Sequence, residues 1–124
     1  MSRIEVVRGS DLGTGDSTEG IVRSRAFDLP GITMSRTRVP PGAASGWHHH
    51  RERHLFGFLV AGRLRLEYGA DGSLVADVRP GDFFHIPPHL VHRDVNPSRE
   101  DTIVMNVLVG EGPNVVNVGG PAPS

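Results

Sequence analysis

With 124 residues the chain has the length of one domain with a buried core, and 13 basic against 14 acidic residues leave no field of one sign to draw it to nucleic acid or a membrane surface. Every basic residue is arginine and none is cysteine, so lysine Schiff bases, disulfides, thiolate nucleophiles and sulfur-ligated zinc are all excluded. Sixteen glycines and ten prolines suit many short strands joined by turns better than long helices.

In chain order, residues 1–20 read as an N-terminal arm with a short strand, its apolar patch running from Ile4 to Val7 before the small and polar stretch SDLGTGDSTEG. From Ile21 the pattern alternates through IVRSRAF, turns at DLPG, and runs on as ITMSRTRV to the Pro40-Pro41-Gly42 break, which predicts two strands joined by a tight turn. A histidine strand and the apolar run Leu55 to Val60 follow, and Ala61-Gly62 turns into RLRLEY. There Leu64, Leu66 and Tyr68 alternate with Arg63, Arg65 and Glu67. GADG, RPGD, Pro87-Pro88, NPSRED and GEGPN punctuate the strands SLVADV, FFHI, the stretch from His92, TIVMNVLV and VVNV. About ten short strands without a helical stretch predict an all-β sandwich or closed double-sheet barrel, a single domain over 21–118 with a tail at 119–124. The chain opens MSRIEVVRGSD, without the apolar core of a signal peptide, and has no apolar run of membrane-spanning length, so a cytoplasmic location is expected.

All seven histidines fall between His48 and His92. In WHHHRERHLFGFLVAG, residues 47–62, three are consecutive and a fourth follows at His54. On an extended strand alternate side chains share a face, so His48 and His50 can point together while His49 points away. The second group lies in GDFFHIPPHLVHRDVN, residues 81–96, which reads as a strand, a proline bend and a new strand beginning with histidine.

These two stretches resemble the two motifs of the cupin family. Gly42, His48, His50 and Gly62 stand at the spacing of the first motif, and Gly81, Pro87, His92 and Asn96 at that of the second. The resemblance implies a jelly-roll barrel, the double-stranded β-helix, with a metal in its mouth held by His48, His50 and His92. The residues themselves agree, because two imidazoles at i and i+2 of one strand and a third from a neighbouring strand can form an open site with positions left for water or substrate. The cofactor implied is one divalent transition metal, among iron, zinc, manganese and nickel.

The first motif departs from the family pattern at its glutamate. Counted back from Gly62 the position is Leu55, which cannot bind metal; counted forward from His50 by the shorter family gap it is His54. Either a bulge absorbs the extra residue and turns His54 inward as a fourth ligand, the alternative we favour, or the site has three protein ligands. Strand parity argues for the latter. A four-histidine site would be neutral in its protein ligands and would lack a built-in carboxylate base.

Candidates for general acid or base are His54, His85 and Glu52, although a solvated loop carboxylate between Arg51 and Arg53 is the plainer reading of Glu52. His89 stands where the family places glycine, so a tight turn is expected there. Trp47, Met34, Phe56, Phe58, Phe83 and Phe84 can wall a pocket, but apolar strand residues are more often core. Arg36, Arg38 and Arg93 can hold an anionic substrate, with a solvated exterior the plainer reading. No acid-base-nucleophile triad, phosphate loop or nucleotide fingerprint is present.

The function expected is metal-dependent catalysis on a small organic molecule: oxygenation at a non-haem metal, or isomerisation, cyclisation or lyase chemistry at a Lewis acid. The alternative is a non-catalytic small-molecule-binding or sensing module, since fold does not imply function. No nucleic-acid or membrane partner is expected, and a homodimer is, because an exposed sheet face or edge tends to be covered.

Overall fold

A computed structural model describes residues 2–124. Eleven strands form: β1 (Gly13–Thr14), β2 (Val22–Leu29), β3 (Ile32–Val39), β4 (His48–His49), β5 (His54–Ala61), β6 (Leu64–Tyr68), β7 (Leu74–Val78), β8 (Phe83–Ile86), β9 (His92–Val95), β10 (Thr102–Val109) and β11 (Val116–Asn117). No helix occurs among the described residues. The strands make two antiparallel sheets, one of six in the order β1-β2-β3-β10-β5-β8 and one of five in the order β11-β4-β9-β6-β7. The two face each other around a shared interior, the all-β double-sheet arrangement that the strand pattern predicts and the double-stranded β-helix that the resemblance implies.

Turn chemistry sets the hairpins. Between Leu29 and Ile32, which pair across the turn, Pro30 restricts φ and Gly31 sits at φ +76°, the residue order of a type II turn. At the next sheet corner Gly62 has φ +83°, and a side chain there would meet the Asp101 carbonyl oxygen at 2.5 Å, so only glycine fits. Period-two alternation then sorts the faces. Leu64 and Leu66 of β6 and Leu55 and Leu59 of β5 point inward, where they join Val78, Ile86, Val104 and Leu108 in one core drawn from both sheets. Each such side chain contributes about 1.5–3 kcal/mol by leaving water.

The N-terminal arm departs from expectation in detail. Ile4 to Val7 forms no strand and Ile4 is 93% exposed; the arm's strand is instead β1, whose Gly13 and Thr14 pair with Arg25 and Ser24 on the edge of the six-stranded sheet. Further along the arm, Thr18 is buried beside the barrel and its hydroxyl donates to Asn117 Oδ1 at 2.8 Å.

Asn96 closes the end of β9. Fully buried, its Nδ2 donates to the carbonyls of Val39, Pro40 and Glu100 at 2.9, 3.2 and 2.6 Å, and its Oδ1 accepts from the amide and hydroxyl of Ser98 at 2.9 and 2.7 Å. The second-motif asparagine is thus the pin between three chain segments.

Candidate functional site

His48 opens β4 and His50 follows it by two residues, so both imidazoles enter the barrel while His49 stays at its outside. The chain then reverses immediately, with Arg51 at φ +52° and the Arg53 amide donating to the His50 carbonyl at 3.0 Å. His92 arrives from the opposite direction. After β8 the Pro87-Pro88 bend, with His89 at φ +63° in the tight turn expected of a family glycine position, carries the chain from the six-stranded to the five-stranded sheet. There β9 pairs with β4 so that His92 lies directly across from His48.

The three rings are buried, with centroids 5.4 Å (His48 to His50), 4.3 Å (His48 to His92) and 5.1 Å (His50 to His92) apart. Every Nδ1 meets a backbone carbonyl: His48 that of Gly46 at 2.9 Å, His50 that of Asn114 at 2.8 Å and His92 that of Leu90 at 2.9 Å. A carbonyl only accepts, so each Nδ1 carries the hydrogen and each Nε2 of the neutral ring keeps its lone pair. One ring nitrogen from each histidine lies within 4.8 Å of the others, and the buried His50 Nε2 has no hydrogen-bond partner. Three aimed lone pairs around one point are a donor set that can hold a divalent metal ion.

Electrostatics keep these rings neutral. Burial is the first cause in each case: it holds His48 well below the ordinary histidine range and lowers His92, and it brings His50 down to about 3. Next come the other imidazoles, His92 acting on both His48 and His50, and the fixed charge of Arg23. For His92 the neighbouring Asp94 pulls the other way.

The wall around the triad includes Arg23, Thr37, Leu55, Phe84, Ile86, Asp94, Val104 and Asn106. Arg23 of β2 lies opposite Thr37 and faces inward, its guanidinium donating to Thr18 Oγ1 at 2.7 Å and the Asp16 carbonyl at 3.1 Å. Asp94 follows His92 by two residues on β9, and its Oδ1 lies 3.8 Å from His92 Nε2 and 3.9 Å from His48 Nε2 without a hydrogen-bond partner. Beside this space is a cavity of about 390 Å³ lined by Leu66, Tyr68, Ala76, His85, Pro87 and Leu90, with Ile86 and His92 shared between the two.

The fourth ligand expected at His54 is corrected by the strand. In β5, Leu55, Gly57 and Leu59 face in while His54 and Phe56 are exposed, and pairing with β10 runs in continuous register from His54 to Leu59. The register shift against β10 falls beyond Leu59, at Val60, and none falls between His54 and Leu59, so Leu55 takes the inward position and touches the histidine space, and His54 is put outside. There its Nδ1 lies 2.9 Å from His85 Nε2, and both rings stack with Phe56. Glu52, another acid-base candidate, lies in the exposed turn 3.3 Å from His89 Nε2, away from the triad. None of Glu52, His54 and His85 lines the histidine space, but His85 lines the neighbouring cavity that shares His92.

Of the aromatic candidates, Phe84 alone walls the triad. Phe58 and Phe83 meet on the outside with centroids 4.8 Å apart, and Trp47 carries the Arg93 guanidinium 4.7 Å above its ring. Arg93 is further paired with Glu67 at 2.6 Å and Arg38 with Asp101 at 3.3 Å, while Arg36 reaches the Gly9 carbonyl; none faces the histidines. The charged residues that do, Arg23 and Asp94, were missed in the sequence. The signal for Asp94 was present as His-x-Asp at the same i, i+2 spacing that pairs His48 with His50. Arg23 carried none, since it lies outside both histidine stretches and meets them only through the pairing of β2 with β3.

The family model described as "Cupin domain" matches residues 35–108, which hold both histidine stretches. Among curated protein sequences no match was found. In structure the chain is similar to an uncharacterised conserved protein with a double-stranded β-helix domain from Klebsiella pneumoniae, at 16% identity and TM-score 0.76 over 94% of this chain and 98% of that one. It is similar too to the polyketide cyclase RemF from Streptomyces resistomycificus, at 19% identity and TM-score 0.75 over 94% of this chain and 86% of that one. Oxalate decarboxylase from Bacillus subtilis gives 20% identity and TM-score 0.70 over 82% of this chain but only 28% of that longer one. Identities this low show a shared fold. With the family model covering more than half of its length, the chain belongs to the cupin domain family.

Proposed function

We propose that this protein is a metal-dependent enzyme acting on a small organic molecule, with His48, His50 and His92 as ligands of one divalent transition metal. The observation that carries this reading is the set of three buried Nε2 lone pairs, each fixed by a backbone carbonyl on the far nitrogen of its ring. Bound there, iron, zinc, manganese or nickel would supply a Lewis acid that polarises an oxygen of the substrate, or a non-haem centre for oxygenation.

The residues of the chain supply the rest. Leu66, Tyr68, Ala76, Pro87 and Leu90 offer an apolar cavity for the body of a substrate whose polar group faces the histidines. Arg23 supplies a fixed positive charge that favours an anionic group, and the sealing residues Leu55, Phe84 and Val104 keep bulk water away. Polyketide cyclisation and oxalate decarboxylation, named for two chains of this fold, fall within the same range of small-molecule chemistry. The support for such chemistry here is the site itself.

The quaternary state belongs to the same proposal. Phe56, Val60 and Phe83 are 48%, 53% and 81% exposed on the outer face of the six-stranded sheet, a surface that a second copy can cover. Sedimentation showing a monomer at micromolar concentration would remove the dimer.

Elemental analysis of untagged protein tests the metal reading, together with thermal melts in added iron, zinc, manganese and nickel. Metal in the wild type and its loss in His48→Ala and His92→Ala is expected. A metal-free wild type whose melting ignores all four ions overturns the reading.

A further inference from the structure

The structure assigns Asp94 the role of fourth protein donor to the metal, a carboxylate delivered from β9 in place of the one that β5 omits at Leu55. This rests on the metal reading above and deepens it.

The geometry is that of a ligand awaiting a cation. Asp94 shares the inward face of β9 with His92, and its Oδ1 stands 3.8 and 3.9 Å from the donor nitrogens of His92 and His48. Two donors each about 2.0–2.2 Å from one ion stand about 3.4 Å apart at a tetrahedral centre and at most about 4.4 Å apart in any geometry, so a shift of about half an ångström brings both separations to those of a single metal. They are too long for hydrogen bonds, and the buried Oδ1 has no partner. A buried carboxylate oxygen without a donor is costly; Arg23 lines the same space but makes no hydrogen bond to it, and a cation between this oxygen and the two lone-pair nitrogens would relieve the cost.

Arg23, the nearby fixed cation, spends its Nη1 on Thr18 and the Asp16 carbonyl. The backbone of Asp94 is also fixed from both sides: its amide donates to Ser45 Oγ at 2.9 Å while its carbonyl accepts from the Ser45 amide at 2.8 Å. The strand therefore holds the side chain on its aim.

One carboxylate offsets half of the charge of a divalent ion, which three neutral imidazoles do not. All four donors then come from β4, its following residue and β9, so the opposite sheet, with Leu55, Phe84, Ile86 and Val104 beside the polar Arg23, Thr37 and Asn106, faces the positions open to substrate.

The test titrates metal-free full-length protein with Zn²⁺ in competition with a chromophoric chelator, and with Co²⁺ read by its visible absorption. In Asp94→Asn the Zn²⁺ affinity is expected to fall at least 10-fold and the Co²⁺ bands to change in position and intensity, with the far-ultraviolet circular dichroism unchanged. The substituted amide is the same size as the carboxylate, so a purely structural role would leave the Co²⁺ bands where they are. Affinity within threefold of wild type, with the same Co²⁺ spectrum, overturns the assignment while leaving the three-histidine reading intact. A wild type that binds neither ion overturns both. A crystal structure of the Zn²⁺-loaded wild type decides the matter without any variant: an Asp94 oxygen within about 2.3 Å of the ion supports the assignment, and one beyond about 3 Å of it refutes it.

Discussion

His48 and His92 are direct cross-strand partners, the one residue pair that joins β4 to β9, and their rings approach to 4.3 Å between centroids. Opposed positions in antiparallel strands bring side chains together on one face, so this single register places two of the three metal-directed nitrogens. Replacing either with alanine is expected to lower Zn²⁺ affinity by at least about 100-fold, beyond what losing an outer partner costs. Competition titration measures it, and retention of wild-type affinity in both variants would rule out the shared site.

His54→Ala makes the opposite prediction. The ring lies on the exposed side of β5 against His85 and Phe56, so Zn²⁺ affinity should stay within about twofold and stability within about 0.5 kcal/mol of wild type. A large loss of metal would restore His54 as a ligand and require β5 to shift by one residue.

Acid should destabilise the metal-free protein through the same rings. His50 is held at about 3 in the folded state against 6.5 for the free side chain, so the unfolded chain takes up its proton first as the pH falls. Its contribution is fully present above pH 6.5, declines by about 1.4 kcal/mol per pH unit below that, and is gone near pH 3. Urea melts between about pH 7 and pH 4 should show this slope, reduced in His50→Gln. Equal slopes in the two proteins would show that His50 is not buried as a neutral ring.

Gly57 and Phe84 are paired across β5 and β8, and a Cβ on Gly57 would come within 2.2 Å of the Phe84 ring. Gly57→Ala is expected to cost about 1–3 kcal/mol by overpacking, and clearly less in a Phe84→Ala background. A double-mutant cycle by chemical denaturation reads the coupling, and additivity would show that the ring moves aside freely.

Asn96→Ala removes a fully buried side chain that bonds three carbonyls, the Ser98 amide and the Ser98 hydroxyl. Leaving those groups unpaired should cost about 3 kcal/mol or more, with Zn²⁺ affinity of the folded fraction little changed. Equilibrium unfolding beside metal titration separates the two roles that the second motif combines: Asn96 for the fold, His92 for the site.

The sequence by itself determined what depends on neighbours along the chain. Period-two alternation, Gly and Pro at the turns and the i, i+2 spacing of His48 and His50 are local rules, and from them came the all-β class, the strand pair at DLPG and the outward turn of His49. What only the tertiary structure decided depends on which strand lies beside which. Where β5 shifts its register is a matter of its pairing with β10, and a shift at Val60 rather than before Leu55 sends Leu55 inward and His54 out. Arg23 lines the histidine space because β2 lies beside β3 with Arg23 across from the buried Thr37, and Asp94 acquires its meaning only when β9 is laid against β4. Contacts between residues far apart in the chain are set by packing of whole sheets, and no local pattern encodes them.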